Sequence, residues 1–407
     1  MRSPRAFSRC SAATGADPAA GAGSGLKRPE RGWGNVKRIV LLGATGSIGR
    51  SVCDVVRAHR DEFRIVAAAV RSSRAAAEEI GREFGARVYA GEGSAARAVA
   101  ENVADVAVVA TVGLSGLEPT LLAIDRGMTV ALATKETLVA AGELVMARAR
   151  ARGVTILPVD SEHSAVFQCL QENCAAGAAW SRSVSRLVLT ASGGPFLDGP
   201  ADLSAVTPAQ ALAHPRWKMG PKVTVDSSTM MNKGFEILEA RWLFGVPTER
   251  IDVVVHPESV VHSLVEFEDG ATLAQLSPPD MRVPIQYALT WPVRLPAARA
   301  RLDLAALGAL TFRAPDETRF PALKLVKDAA AAGGTRTAVL SAADEVAVAR
   351  FLAGEISYPD VVRLVREAVE RAPETACDGV ESVLAADAWA RSYAAAWRAR
   401  GAIFSAT

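Results

Sequence analysis

The segment 223–236 concentrates polar side chains that could bind a phosphate and a metal ion. Its amide, ammonium and carboxylate groups belong to Asn232, Lys233 and Glu236. On a helix, spacings of three and four residues place these groups on one face, beside the hydroxyls of Ser227 and Ser228. Such a cluster suits a phosphate together with a metal. The alternative interpretation is a capping serine followed by an ordinary ion pair.

Two further carboxylates follow a predicted buried strand at 154–159. In an extended chain, Asp160 and Glu162 point to the same side and Ser161 points to the opposite side. Neighbouring carboxylates repel each other unless a cation or a proton lies between them. At the carboxyl end of a strand in an open α/β sheet, we expect a hard divalent metal, with Glu236 as its third oxygen ligand. A helix start capped by Asp160 or Ser161 is an alternative that is compatible with this site.

A glycine-rich turn at 43–49 lies between a predicted strand and a predicted helix. Its glycines are spaced GxxGxxG, and the strand and helix around them are the context of a dinucleotide-binding turn. The next strand, 64–70, ends in Arg71-Ser72-Ser73-Arg74, with no acid for the ribose hydroxyls. Basic and hydroxyl side chains there favour a 2′-phosphate, and therefore NADP over NAD. The alternative is a βαβ unit without a cofactor.

Composition excludes several classes of protein. The chain has 407 residues, enough for two or three domains, and its 46 Lys and Arg nearly balance its 44 Asp and Glu. This balance predicts neither a nucleic-acid partner nor a membrane partner. No apolar run reaches the ~20 residues of a membrane span. The five cysteines have no zinc-like or CxxC spacing, so we expect reduced thiols in a reducing compartment.

Residues 1–35 are rich in Ala, Gly, Arg and Ser, and we expect them to be a disordered extension. Three arginines precede the first acid, Asp17, which also fits an organelle transit peptide. A bacterial tail is the preferred interpretation, with a cytoplasmic location. A plastid location is the alternative.

The order of predicted elements indicates an α/β chain with three structured parts. These are an amino-terminal Rossmann-like NADP domain, a central α+β catalytic domain and a carboxy-terminal helical domain. Their predicted bounds, with a linker between the last two, are 36–159, 160–290, 291–316 and 317–407. The predicted strands are 38–42, 64–70, 86–89, 106–110, 128–133, 154–159, 186–190, 251–255, 261–267 and 271–276. The main predicted helices are 75–84, 117–126, 337–353 and 359–370. A hairpin is expected at Asp269-Gly270.

Eight motifs between Gly43 and about Leu352 resemble the 1-deoxy-D-xylulose 5-phosphate reductoisomerase family. They are GATGSIG, LATKETLV, LPVDSEHSAVFQ, TASGGPF, HPRWKMGPKVTVDSSTMMNKGFE, HPESVVHS, LSPPDMRVPI and RFPALKL. The resemblance implies NADPH-dependent isomerisation and reduction of a phosphorylated ketose in the methylerythritol phosphate route to isoprenoids. It also implies a Mg²⁺ or Mn²⁺ ion, with Co²⁺ as a further option, a homodimer and inhibition by fosmidomycin-type phosphonates.

The resemblance also assigns roles to individual residues. The implied metal ligands are Asp160, Glu162 and Glu236. The implied catalytic residues are Lys135, Asp160, Glu162, His214 and Glu236. The implied substrate contacts are Lys135, Ser161, Glu162, Ser192, His214, Trp217, Ser227, Asn232, Lys233 and Glu236. The implied NADPH contacts are Thr45, Gly46, Ser47, Ile48, Arg71, Thr134, Glu136, Met219 and Gly220.

The chemistry agrees with these roles. A divalent ion polarises a carbonyl while a carbon–carbon bond beside it is rearranged, and a remote phosphate supplies binding energy for orientation. A loop between His214 and Lys222 that carries Trp217 could act as a lid that excludes water. We expect His59, His163, His256 and His262 to be structural or to support the site from outside, with His59 ending a helix, because a hard cation prefers carboxylates.

Four positions or segments depart from the family pattern. Thr134 replaces an asparagine before the lysine, and 71–73 replaces a Gly-x-Asn element. Ser341 and Asp344 replace two asparagines, and the segment 110–116 is also unusual. None of these departures removes a metal or phosphate ligand; they concern the adenosine contacts of the cofactor.

Two other functions are compatible with the clusters taken alone. One is an NADP-dependent, metal-assisted oxidoreductase that acts on a related phosphorylated sugar. The other is a non-catalytic NADP sensor, which would have no use for three converging carboxylates.

Overall fold

Six parallel strands form the first sheet, in the order β3-β2-β1-β4-β5-β6. The computed structural model describes residues 36–170, 183–217, 219–297 and 301–399, so the predictions for 1–35 lie outside the described residues. The strands are β1 Lys37–Leu42, β2 Phe63–Val70, β3 Arg87–Ala90, β4 Val106–Val109, β5 Thr129–Leu132 and β6 Ile156–Pro158. All six predicted strands are confirmed, with ends that shift by one or two residues.

Helices cover the first sheet, which explains why its strands are continuously apolar rather than alternating. They are α1 Ser47–Ala58, α2 Arg74–Phe84, α3 Ser94–Glu101, α4 Leu117–Asp125 and α5 Lys135–Arg152. Chain order reverses between β1 and β4, which pair with each other side by side. The carboxyl end of β1 is therefore the switch point of a Rossmann-like sheet, where ligands bind in such folds.

The turn after β1 requires glycine at two positions. Gly43 has a φ of +82°, and a Cβ there would lie 2.1 Å from the carbonyl oxygen of Ala110. A Cβ on Gly49 would lie 2.4 Å from the carbonyl oxygens of Gly43 and Ala44. The turn can therefore fold tightly under the first turn of α1, as the glycine spacing predicts.

The second sheet is mixed, with the order β10-β9-β7-β8. Its strands are β7 Val184–Ala191, β8 Ile251–Val255, β9 Val261–Phe267 and β10 Thr272–Leu276. The helices in this part of the chain are α6 Ser161–Cys169, α7 Pro208–Ala211, α8 Pro221–Thr229, α9 Met231–Phe244 and α10 Arg282–Thr290. Helices α6 and α9 pack against the sheet. The hairpin at Asp269-Gly270 is confirmed, because β9 and β10 pair antiparallel across it.

The last part of the chain is helical, as its apolar spacing predicts. Its helices are α11 Leu304–Leu307, α12 Ala322–Ala332, α13 Arg336–Leu352, α14 Tyr358–Arg371 and α15 Val380–Ala396. Helix α13 packs on α14 and α15 and also contacts α5 and α8, so it reaches the elements that carry the site. The predicted linker contains α11 and a β-bridge between Arg313 and Val255.

The domain bounds predicted above remain a prediction. The parallel strands end at Pro158 and the mixed sheet ends at Leu276, which is compatible with those bounds. In the described part of the chain, no helix has the length and apolar character needed to cross a bilayer.

Candidate active site

Three carboxylates converge where the start of α6, directly after β6, faces α9. Asp160 caps the start of α6, directly after β6, and Glu162 lies in the first turn of that helix. Glu236 comes from α9 and is 1% exposed. One oxygen from each side chain lies within 4.8 Å of the others. The predicted trio is therefore assembled.

Two ammonium groups lie between these carboxylates. Lys135, the first residue of α5, lies 3.0 Å from Asp160 Oδ2 and 3.1 Å from Glu236 Oε1. Its Nζ also donates a hydrogen bond of 2.7 Å to Asn232 Oδ1. Lys233 lies 3.0 Å from Glu162 Oε1 and also contacts Glu236. The face formed by Asn232, Lys233 and Glu236 is thus confirmed on α9.

Burial and charge set the protonation of this cluster. Burial, followed by the neighbouring Glu236, raises the pKa of Glu162 to about 7. Burial would also raise the pKa of Asp160, but the Lys135 ammonium, His163 and the Lys233 ammonium together outweigh burial and hold that pKa well below its usual value. Burial would lower the pKa of Lys135, yet Asp160 and Glu236 raise it well above the ordinary range.

The donor set fits a hard divalent cation. Carboxylate oxygens are the ligands that Mg²⁺ and Mn²⁺ prefer, and a central cation would favour the ionised form of Glu162 that burial opposes. The three ligand residues begin or lie within helices whose own hydrogen bonds fix their backbone. Asp160, Glu162 and Glu236 can therefore hold a metal without any rearrangement of secondary structure.

A hydroxyl- and amide-lined cradle lies beside the carboxylates. Ser192 follows β7, and the next two glycines have φ angles of +84° and +63°. A Cβ on Gly194 would lie 3.0 Å from the carbonyl oxygen of Ser227, so this turn packs directly against α8. Ser192, Ser227, Asn232 and Lys233 all line the same cavity, which has a volume of about 210 Å³. The arrangement suits a phosphate group.

His214 fixes the orientation of Ser192. Its Nδ1 accepts hydrogen bonds from the backbone N–H groups of Arg216 (3.2 Å) and Trp217 (2.9 Å). Burial lowers the pKa of His214, which favours the neutral ring. In that ring the hydrogen is on Nε2, which lies 3.0 Å from Ser192 Oγ and donates to it. The Ser192 hydroxyl is then free to donate its own hydrogen into the cavity.

The cavity extends from the carboxylates to the glycine turn. Ser47 and Ile48 line it at the start of α1, and Trp217, Met219 and Gly220 line it opposite. The Trp217 ring is half-buried and lies 6.3 Å from the ring of His262. The predicted nucleotide turn, lid residues and carboxylates are therefore brought together around one space.

Five predicted cofactor residues do not line this cavity. Thr45 and Gly46 belong to the glycine turn itself, and Arg71 is exposed after β2. The hydroxyl of Thr134 donates to the carbonyl oxygen of Thr111 at 2.8 Å. Glu136 is buried and lies 3.5 Å from Lys222.

Two predictions from the sequence are wrong. Residues 160–162 start a helix and are not extended, so Ser161 does not point away from Glu162; its hydroxyl donates to Glu162 Oε2 at 2.5 Å. Ser228 does not join the cradle, because its buried hydroxyl donates to the carbonyl oxygen of Val225 at 2.6 Å. A left-handed Met230 (φ +65°) separates α8 from α9, so both serines lie on a different helix from Asn232, Lys233 and Glu236.

The histidines hold structural positions, with one addition. His59 ends α1, and His256 Nε2 accepts the N–H groups of Val260 and Val261, as expected of structural residues. His262 is buried but also lines the cavity, and burial lowers its pKa to about 4.

Glu239 was not predicted from the sequence as a residue of the site. Together with Glu239, His163 supports the carboxylate trio from outside the cavity. Its Nδ1 lies 3.2 Å from Asp160 Oδ1 and 3.8 Å from Glu239 Oε2. Burial would lower the pKa of His163, but Glu239 and Asp160 raise it to about 9. The sequence signal was present, because His163 is three residues after Asp160 and Glu239 is three after Glu236.

Sequence models of one family match most of this chain. A model described as 1-deoxy-D-xylulose 5-phosphate reductoisomerase matches residues 39–90 and 77–142. Two models of carboxy-terminal domains of the same enzyme match 156–244 and 276–393.

Individual relatives agree over nearly their full length. A 1-deoxy-D-xylulose 5-phosphate reductoisomerase from Thermomicrobium roseum is 48% identical over 375 residues, which cover 88% of this chain and 96% of the relative. One from Symbiobacterium thermophilum is 49% identical over 385 residues, which cover 88% and 98%.

Solved structures share the fold. A DOX-P reductoisomerase in complex with NADPH, fosmidomycin and magnesium superposes with a TM-score of 0.83 at 37% identity, covering 89% of this chain and 98% of that one. The enzyme from Zymomonas mobilis in complex with NADPH gives a TM-score of 0.81 at 38% identity, covering 89% and 99%.

Proposed function

This chain belongs to the family of 1-deoxy-D-xylulose 5-phosphate reductoisomerases, and from that premise we propose the part that each side chain of the cavity takes. The protein is an NADPH- and divalent-metal-dependent enzyme that isomerises and reduces 1-deoxy-D-xylulose 5-phosphate to 2-C-methyl-D-erythritol 4-phosphate, in non-mevalonate isoprenoid precursor biosynthesis. The observation that carries the residue roles is that one cavity joins the carboxylate trio, the hydroxyl cradle and the glycine turn.

Asp160, Glu162 and Glu236 are the proposed ligands of a Mg²⁺ or Mn²⁺ ion, with Co²⁺ as a further option. Such an ion would supply Lewis-acid polarisation of the substrate carbonyl when bound. Lys135 contacts two of the three carboxylates and stays cationic, so its ammonium can stabilise negative charge on a substrate oxygen next to them. Ser161 donates a hydrogen bond to Glu162 and lines the cavity, and it is the proposed contact for a substrate hydroxyl group.

The phosphate end of the substrate binds in the cradle of Ser192, Ser227, Asn232 and Lys233. His214 acts there by keeping the Ser192 hydroxyl aimed into the cavity. Lys233 contacts both Glu162 and Glu236, so a phosphate bound to it would be fixed relative to the metal ligands. Orientation of a remote phosphate in this way lowers the entropic cost of the rearrangement.

NADPH lies along the switch point of the first sheet. The turn that contains Thr45, Gly46, Ser47 and Ile48 takes the pyrophosphate at the start of α1, where unpaired backbone N–H groups favour anions. Arg71 takes the 2′-phosphate, as its exposed position after β2 allows. The nicotinamide end extends toward Met219 and Gly220, with Thr134 and Glu136 supporting it.

Trp217 covers the cavity as part of a lid. Trp217 lines the cavity two residues before Met219, which also lines it, and the N–H of Trp217 donates a hydrogen bond to His214 Nδ1. Such a lid keeps water from the site between isomerisation and reduction.

Turnover tests these roles directly. Oxidation of NADPH is followed by absorbance with the purified full chain, 1-deoxy-D-xylulose 5-phosphate and Mn²⁺, with and without EDTA. We expect loss of absorbance that EDTA abolishes and added Mn²⁺ restores. Metal-independent turnover would contradict the role of the trio, and turnover only with another phosphorylated sugar would support the related-sugar alternative.

The homodimer is also a proposal. Strand β10 is at the edge of the second sheet, and Leu273 on it is 50% exposed, an apolar side chain that a second copy would cover. Light scattering of the full chain should give twice the monomer mass. A Leu273→Lys variant should shift it toward the monomer, and a monomeric wild-type chain would contradict the proposal.

The compartment and the domain roles follow the same premise. Among the described residues, Cys53, Cys169 and Cys377 are free thiols, which agrees with the reducing bacterial cytoplasm that we propose.

We further propose that residues 36–159 bind NADPH, that 160–290 carry catalysis and dimerisation, and that the helices after 317 brace both.

A further inference from the structure

A second group of buried charges surrounds the ammonium of Lys222, outside the proposed metal site. Its Nζ lies 2.7 Å from Asp226 Oδ2, 2.9 Å from Asp344 Oδ2 and 3.5 Å from Glu136 Oε1. Asp226 lies on α8 with Lys222, whereas Asp344 comes from α13 and Glu136 from the first turn of α5. One ammonium therefore ties together three separate helices.

The burial of this group makes Lys222 indispensable to its partners. Asp226 is 1% exposed and Asp344 is fully buried. Among the described residues, no cation other than Lys222 lies within ion-pair distance of Asp226 or Asp344. Without this ammonium, the buried carboxylates must either take up protons or remain as uncompensated charges, and in both cases the ion pairs that link the three helices are lost.

Two members of the group, Lys222 and Glu136, lie close in sequence to residues that line the active-site cavity. Lys222 lies two residues after Gly220, which caps α8 and lines the cavity. Glu136 directly follows Lys135, which contacts Asp160. Gly220 lines the same cavity as the start of α1 and the carboxylate trio, and Glu136 is the sequence neighbour of Lys135, which also lines it. This is where the reacting end of NADPH must lie, because its hydride has to reach a substrate held at the trio.

We propose that Lys222 is a positioning residue for the nicotinamide end of NADPH. It holds Glu136 and the first turn of α8 in place, and Asp344 extends this link to the carboxy-terminal helices. Lys222 itself does not line the cavity, so it acts through Gly220 and Glu136. The inference rests on the proposed function of the cavity. A purely structural ion group would stabilise the fold without a selective effect on cofactor affinity.

A Lys222→Met variant of the full chain separates these two roles. We expect the Kd for NADPH, measured by nucleotide fluorescence, to rise roughly tenfold, the scale seen when supporting contacts of a site are lost. The Kd for Mn²⁺, measured by calorimetry, should stay within about twofold of wild type, because Lys222 does not contact the trio. Lys222→Arg, which keeps the charge, should restore most of the NADPH affinity. Lys324→Met is the matched control, since Lys324 is exposed and pairs with Asp328 on its own helix.

The possible results distinguish a failure of the positioning role of Lys222 from a failure of the proposed function. If Lys222→Met does not fold, the double variant Lys222→Met/Asp344→Asn is compared with the single variant Asp344→Asn. The double variant has one fewer buried carboxylate without an ammonium partner than Lys222→Met has. We expect it to bind NADPH roughly tenfold more weakly than Asp344→Asn does. NADPH affinity equal to that of the parent in the folded variant would overturn the inference alone. Wild-type protein that binds no NADPH would overturn the proposed function and the inference together.

Discussion

The ammonium of Lys135 lies 3.0 Å from Asp160 Oδ2, across the gap between two neighbouring parallel strands. Lys135 begins α5 shortly after β5, and Asp160 directly precedes α6 after β6. Because β5 and β6 are adjacent in the sheet and parallel, their carboxyl ends meet at the same edge. A lysine and a carboxylate that are 25 residues apart in sequence are thereby held in contact. The sheet thus builds one wall of the active site.

Loss of this ammonium should slow turnover without weakening NADPH binding. For Lys135→Gln we expect kcat to fall by roughly 100-fold or more, because a fixed positive charge next to the reacting oxygens is lost. The Kd for NADPH should change little, since Lys135 contacts the carboxylates and Asn232 rather than the glycine turn. Steady-state kinetics and nucleotide fluorescence measure the two effects. Lys324→Gln is the control, and a kcat within tenfold of wild type would contradict the assigned role.

The periodicity of the sequence predicted the local parts of this site well. The strand–turn–helix at 43–49 and the face of Asn232, Lys233 and Glu236 on α9 follow from spacings of a few residues. The trio of carboxylates was also expected, because strand ends and their following residues can be placed at one edge of a parallel sheet. The resemblance to a known family supplied the roles of residues such as Ser192 and His214, which no spacing would have assigned.

Contacts between distant parts of the chain could not be predicted in this way. Nothing in the periodicity places Asp344 of α13 beside Lys222 of α8, because such a contact depends on how complete helices pack. The break at Met230 was missed for a related reason. Its left-handed backbone is unusual for a methionine and is held by the packing of α8 and α9, so no local propensity indicates it.

Glu236→Gln should weaken metal binding selectively. Glu236 is buried and offers an oxygen within 4.8 Å of those of Asp160 and Glu162, and an amide is a poorer ligand for a hard cation. We expect the Kd for Mn²⁺ to rise by about 10- to 100-fold in calorimetry, with a matching loss of activity at limiting metal. Glu374→Gln, at a side chain that is 91% exposed, is the control. Unchanged Mn²⁺ affinity would remove Glu236 from the ligand set.

Tyr358 should support the phosphate cradle from the carboxy-terminal helices. Its hydroxyl donates to the carbonyl oxygen of Ser228 at 2.7 Å, and its ring packs against Phe196, 5.3 Å away between centroids. Tyr358→Phe removes this hydrogen bond, which should cost about 1 kcal/mol of unfolding free energy and raise the KM for the phosphorylated substrate more than it lowers kcat. Denaturant unfolding and steady-state kinetics measure these changes.

A matched variant separates this effect from a general loss of stability. Tyr89→Phe also loses a tyrosine hydrogen bond, to Glu101, but on a strand of the first sheet that does not line the cavity. We expect Tyr89→Phe to lower stability comparably and to leave KM unchanged. Equal effects of both variants on KM would show that Tyr358 has no special link to the cradle.

Asp344→Asn should stabilise the protein, and more so as the pH rises. Burial raises the pKa of Asp344 above its usual value of 3.8, although Lys222 opposes the shift, so the folded state binds more protons than the unfolded chain. The contribution of Asp344 to the unfolding free energy of the wild type therefore decreases as the pH rises above 3.8. Asparagine carries no charge and can still accept a hydrogen bond from Lys222, which keeps two other carboxylates as partners.

The expected result is a melting temperature a few degrees above that of the wild type at about pH 8, with a smaller gain at about pH 5. Differential scanning calorimetry at both pH values measures it, and Asp328→Asn, at an exposed ion pair, should show no such trend. A variant that is less stable than the wild type at high pH would mean that Lys222 needs all three carboxylates, and that Asp344 is ionised without cost in the folded protein.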